Sequence, residues 1–139
     1  MDSVIECAGR AGKHLTKAWE KLYGIQQNIS EAYRLAILAV EDVAIPRISP
    51  SNQRVTLGTA LRDLETQGDW SLPMTREHEK APSKDVLIGM ICLLWHGQHD
   101  RHGGQMSQES VSEQEAIAAI GLATTLVHWF DAEIVLRSN

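Results

Sequence analysis

Residues 86–104, VLIGMICLLWHGQHDRHGG, constrain the fold of this chain more than any other stretch. The first half is apolar on almost every side, with Val86, Leu87, Ile88, Met90, Ile91, Cys92, Leu93, Leu94 and Trp95. A helix apolar all round has to be buried, so it is expected to be the central element of a small domain. The second half then gathers His96, His99, Asp100, Arg101 and His102 within seven residues. Gly103 and Gly104 follow, as glycine commonly does just past a helix end. The most apolar helix therefore ends in the densest polar cluster of the chain, and function is expected there.

A length of 139 residues suits a single domain, 1–139, with a core of its own. With 43% hydrophobic and 22% charged residues the composition is that of an ordinary soluble globular protein. The net charge of −5 shows no general basic footprint for nucleic acid, although Arg47, Arg54 and Arg101 allow local basicity. Cys7 and Cys92 lie far apart on apolar faces without metal spacing, and read as small buried hydrophobes of a reducing compartment. The N-terminal residues carry charge early and lack the apolar core of a secretory leader. The longest apolar run, 86–95, falls short of the about 20 residues needed to span a bilayer. The chain is thus expected to be cytoplasmic, with no membrane contact.

Helical periodicity dominates the rest. In residues 3–23, Val4, Ala8, Ala11, Leu15, Ala18, Trp19 and Leu22 recur at three- and four-residue steps, and Gly24 ends the pattern. A second helix opens at Asn28, with Glu31 three residues on as a capping-box-like partner. It buries Tyr33, Ala36, Ile37, Val40, Val43 and Ala44, and Pro46 is expected to stop it. The joint is short, which favours an antiparallel hairpin. Residues 45–54 read as a loop. Thr56 caps a shorter helix with Leu57, Ala60, Leu61 and Leu64 on one face, ended by Gly68. Residues 69–84 read as irregular, with a mobile polar surface within them. Ser83 is the expected cap of the apolar helix. Ser112 and Glu115 form a capping box for the last helix, with Val111 placed to staple onto Ala116. That helix buries Ala116, Ile120, Ala123, Val127 and Phe130, widened by Ile117 and Leu126. Residues 134–136 read as a last turn or an apolar tail, and Trp19, Trp95 and Trp129 as core. The pattern predicts an all-α fold, an up-and-down bundle of four to five helices.

Three chemistries suit the cluster HGQHDRH. On a continued helix, successive histidines at three-residue spacing stand about 60° apart, so His96 and His102 diverge by about 120°, too far for one ion. No metal site is expected. Imidazole moves protons near neutral pH, and an adjacent arginine holds a phosphate bidentately. His102 with His96 then make an acid–base pair, Arg101 a phosphate clamp, and Asp100 the group that orients them. The third chemistry is structural: a solvated helix end, its cations facing the negative pole of the helix, or an Asp–Arg–His turn tied to its neighbours. No nucleophile stands beside a histidine and no Gly-rich phosphate loop is present, which argues against hydrolase triads and nucleotide triphosphate chemistry. His14 and His128 read as edge or hydrogen-bonded histidines.

Four stretches together, HLTKAWEKLYG, EAYRLAILAVEDVAIPRISPSNQRVTLGTALRDL, QHDRHGG and EAIAAIGLATTLVHWF, resemble a group of bacterial proteins, many of them actinobacterial. That group is similar to the abortive-infection C-terminal domains of the HEPN superfamily. The resemblance covers most of the chain in order. It implies a helical bundle, often a homodimer, that acts on RNA in phage-defence or toxin–antitoxin systems. Catalytic HEPN domains carry an arginine, four to six residues, then a histidine. With His102 as that histidine, the arginine position falls on Trp95, His96 or Gly97, and none is arginine.

Two functions follow as expectations. One is a metal-independent endoribonuclease, or a degenerate relative that binds RNA, with no cofactor. Its catalytic candidates are His102, Arg101, His96 and Asp100, and Arg101 and His99 are its RNA contacts. The other is a non-catalytic helical adaptor that dimerises or binds a protein partner.

Overall fold

A computed structural model of the protein describes residues 2–51, 55–99 and 110–138, with side chains described from residue 7 onward. The described chain is mostly helical, with α1 (Asp2–Tyr23), α2 (Ile29–Ile48), α3 (Leu57–Gln67), α4 (Ser83–Gly97) and α5 (Glu113–Asp131). Two short strands, β1 (Trp70–Ser71) and β2 (Leu136–Arg137), complete it. The fold is all-α apart from that pair. Among the described residues no helix is long and apolar enough to cross a membrane.

The centre of the fold is α2 and not the apolar helix. It buries ten residues, among them Tyr33, Ala36, Ile37, Val40, Val43 and Ala44, because α1, α5 and α3 all pack against it. By contrast α4 buries a single stripe, Ser83, Leu87, Ile91 and Leu94. Ile88, Met90, Cys92 and Trp95 are half-buried against the core, and Val86 and Leu93 are exposed, Leu93 at 63%. An all-apolar sequence leaves the buried face to be chosen by the neighbours, and for α4 these are α3, α5 and β1.

Helix ends follow local capping chemistry. Asn28 accepts the Glu31 backbone N–H at 3.1 Å, but the Glu31 carboxylate goes to Arg34 instead of back to the cap. Thr56 caps α3, and Gly68, at φ 72°, closes it in the left-handed conformation that glycine adopts without strain. Ser112 and Glu115 make both bonds of the capping box, at 3.1 and 2.7 Å.

Pro46 does not stop α2, which continues to Ile48. Proline in a last turn removes one backbone bond, and the Ser49 N–H still closes on the Ile45 carbonyl at 2.8 Å. Nor is Ser83 the cap of α4. It is the first helical residue, and Glu77 satisfies the helix start, accepting the Ser83 N–H and hydroxyl at 2.6 Å each. That anchors the polar surface segment read as mobile. Direct hydrogen bonds from Ser83 hold its carboxyl below the usual carboxylate range.

Two further departures concern the topology. The N-terminus of α3 meets Glu41 and its later residues Asp63 and Gln67 meet Ser49 and Ile48, so α3 advances in the same sense as α2. It does not turn back, as an up-and-down plan requires. The apolar tail forms β2, pairing Leu136 with Ser71 and Arg137 with Trp70. Trp70 is thereby buried, while Trp19, expected in the core, is exposed on α1.

Candidate functional site

The C-terminal end of α4 is fixed by a backbone contact. The Tyr33 hydroxyl of α2 donates to the Leu94 carbonyl at 2.7 Å, and Gly97 lies so close that any Cβ there would strike the same hydroxyl. A donor from α2 thus meets one of the carbonyls a helix end leaves unpaired. Trp95 lies over Gly58 of α3, where an added Cβ would stand 2.6 Å from the indole. Glycine at 58 is what lets α3 and α4 close on each other.

Helix α4 ends at Gly97, so the wheel geometry does not extend to His99. The two described histidines of the cluster part company. His99 turns toward α5, its Nε2 3.4 Å from Glu115, the carboxylate that completes the α5 capping box. Glu115 sits below the usual range, first because the Ser112 N–H donates to it and further because of His99.

His96 is exposed on the other side, where it lines a cavity of about 300 Å³ between α3 and α4. Arg62, Glu65, Trp95, Thr56 and Thr59 line the same cavity. Arg62 and His96 make no hydrogen bond or ion pair among the described residues. An unpaired guanidinium, an imidazole and a half-buried indole therefore share one opening. No local sequence signal singles out Arg62. Its approach to His96 depends on the α3–α4 packing.

Asp100, Arg101, His102 and Arg54 lie outside the described residues. Arg47 does not serve as a local basic patch: its guanidinium donates to the Val135 carbonyl at 2.7 Å and lies 5.5 Å from the Trp70 ring centroid. Cys7 and Cys92 are free and half-buried. Among the described residues no three His, Cys, Asp or Glu side chains stand close enough to hold a metal ion.

A second polar group joins α1 to α2. His14 Nδ1 is 2.6 Å from Asp42 Oδ2, and Arg10 is 3.9 Å from the other oxygen. Beside it, burial pushes the Glu41 carboxyl above the usual carboxylate range, against the pull of the Leu57 N–H that it accepts at 2.7 Å. The folded state therefore binds this proton more tightly than the unfolded chain, whose glutamates titrate near about 4.3. The stability it contributes is present below that pH and is lost as pH rises through the folded value. Glu41→Gln removes this loss, so the stability of the variant relative to wild type should rise with pH above about 4.3. Urea melts across that range check it. A difference that stays flat, or runs the other way, would show that Glu41 carries no burial penalty.

Compared with known proteins, the chain matches no family model, no curated protein and no solved structure.

Proposed function

We propose that this helical domain is HEPN-like and acts on RNA, binding a single-stranded segment at the cleft between α3 and α4. The observation that carries this reading is the shared cavity of Arg62, His96 and Trp95, which opens at the end of α4 just before Asp100, Arg101 and His102. Each group has a distinct use. The planar Arg62 fork suits a phosphate oxygen pair. The Trp95 indole offers an apolar surface to a base, the sequence-tolerant contact of single-strand binders. His96 is a proton donor or acceptor near neutral pH.

Cleavage of an RNA phosphodiester by its own 2′-hydroxyl needs one group to take that proton and another to protonate the leaving oxygen. His96 supplies one imidazole and His102 is the candidate for the other, with Arg101 as the phosphate clamp. His99 is spent on Glu115 in the free protein and contributes to RNA contact only by leaving it. The place of the domain in phage defence or a toxin system follows from the resemblance and stands as part of this reading.

The test is titration of labelled single-stranded RNA at several salt concentrations. Arg62→Ala should weaken binding about tenfold and flatten the salt dependence by about one phosphate contact. His96→Ala and His102→Ala should each abolish cleavage if wild type cleaves. A folded wild type that neither binds nor cuts RNA at low salt would overturn the reading, and the adaptor role would replace it.

A further inference from the structure

The C-terminal end of α1 carries two large aromatic side chains in the open. Trp19 and Tyr23 are 54% and 56% exposed, and their rings meet edge to face, with centroids 4.4 Å apart and planes at 75°. Two rings at that angle form a corner, with a face of each turned to the space between them. Together with Thr16, Glu20 and Gly24 they line an open pocket of about 460 Å³.

Three features make this pocket attractive to a cation. The ring faces present the negative side of the aromatic quadrupole. The Glu20 carboxylate lines the same pocket and makes no hydrogen bond or ion pair among the described residues. The pocket also sits at the C-terminal turn of α1, where aligned peptide dipoles leave partial negative charge. Lys17 and Lys21 do not oppose it, since each stands about 160° from Trp19 around the helix.

The corner also discriminates between kinds of cation. A primary ammonium brings three N–H donors, which ring faces satisfy poorly. A quaternary ammonium brings none, and its charge is spread over methyl groups that pack against aromatic faces. Thr16, Trp19 and Tyr23 border, in addition, an apolar groove of about 550 Å³ whose far side is Ile117, Ile120 and Gly121 of α5. The corner thus continues into a place for an apolar chain. We propose that it binds a small quaternary ammonium compound, the trimethylammonium head between Trp19 and Tyr23 beside Glu20 and the chain in the α1–α5 groove. The site is separate from the α3–α4 cleft and does not depend on RNA binding.

Isothermal titration calorimetry tests it, with circular dichroism as the folding control. Three probes share one shape: choline, the neutral alcohol in which a tert-butyl group replaces the trimethylammonium, and ethanolamine, which lacks the methyl groups. Choline should bind at least about fivefold tighter than either. Hexyltrimethylammonium should bind at least about fivefold tighter than choline, because its chain enters the groove. Trp19→Leu should weaken choline binding at least about fivefold, and Trp19→Phe should recover part of the loss by restoring a ring face. Glu20→Gln should weaken it about threefold and flatten its salt dependence. Trp19 and Glu20 are exposed, so these substitutions leave the core intact. Equal affinity for the neutral alcohol or for ethanolamine, a Trp19→Leu or Glu20→Gln variant that binds choline like wild type, or no gain from the hexyl chain would each overturn the proposal. So would a protein that ignores both quaternary salts and binds only phosphatidylcholine vesicles, which would assign the corner to a membrane surface.

Discussion

Leu94→Ala should lower the unfolding free energy by about 2–5 kcal/mol, the range for truncating a large aliphatic side chain in a packed core. Leu94 is fully buried, and its carbonyl accepts the Tyr33 hydroxyl, so its side chain and backbone both join α4 to α2. The effect should be large because α4 has few anchors. Only Leu87, Ile91 and Leu94 among its large side chains are buried. Removing one of three loosens the helix end that carries Trp95 and His96. Chemical denaturation measures it, and a loss below about 1 kcal/mol would show that the Leu94 site is not an integral part of the core.

Trp70→Ala should cost about 3–5 kcal/mol and lower the melting temperature accordingly. Trp70 is 3% exposed although it stands in a two-residue strand outside every helix. Its indole N–H donates to Gln67 at 2.6 Å, and the Arg47 and Arg137 guanidinium groups lie 5.5 and 5.6 Å from its ring centroid. Arg137 is held in turn by Asp69, at 3.0 Å. The ring therefore joins the ends of α2 and α3 to the C-terminal strand. Trp70→Phe should fall between wild type and Ala, since it keeps most of the apolar area but loses the N–H and part of the cation contact of about 0.5–1 kcal/mol each. Thermal melts of the two variants check the order. An Ala variant within about 1 kcal/mol of wild type would mean that the strand pair is not part of the fold's stability.

Trp70 also marks the boundary of what was legible in the sequence. On α2, α3 and α5 periodicity named the buried residues: all four of α3, the six of α2 and the five-residue stripe of α5 are in the core, although Ile117, read as widening that stripe, is 43% exposed. Capping chemistry located helix ends at Thr56, Gly68 and Ser112 for the same reason, since each acts within its own turn. Contacts between distant segments were not legible. The pairing of residues 70–71 with 136–137 leaves no local pattern in four residues. Surface aromatics mislead too, because Trp19 fits the apolar stripe of α1 and still faces outward.

The same distinction holds for the site. His96 could be singled out by composition, because imidazoles crowd the end of α4. Arg62 could not, because its meaning comes from Gly58, whose missing side chain brings α3 against Trp95. The all-apolar α4 failed as a guide for an opposite reason: with every side apolar, hydropathy carries no direction. The burial of Leu94 and the exposure of Leu93 are set by the neighbours alone.

RNA binding at the α3–α4 cleft is tested most directly by following the indole N–H resonances of the four tryptophans while single-stranded RNA is added. Trp95 lines the cleft, Trp19 lies on the α1–α5 face, and Trp70 is buried against the C-terminal strand. The Trp95 signal should shift in proportion to bound RNA while those of Trp19 and Trp70 stay in place. A Trp95 signal that does not move in the folded protein, or a shift confined to Trp19, would contradict it.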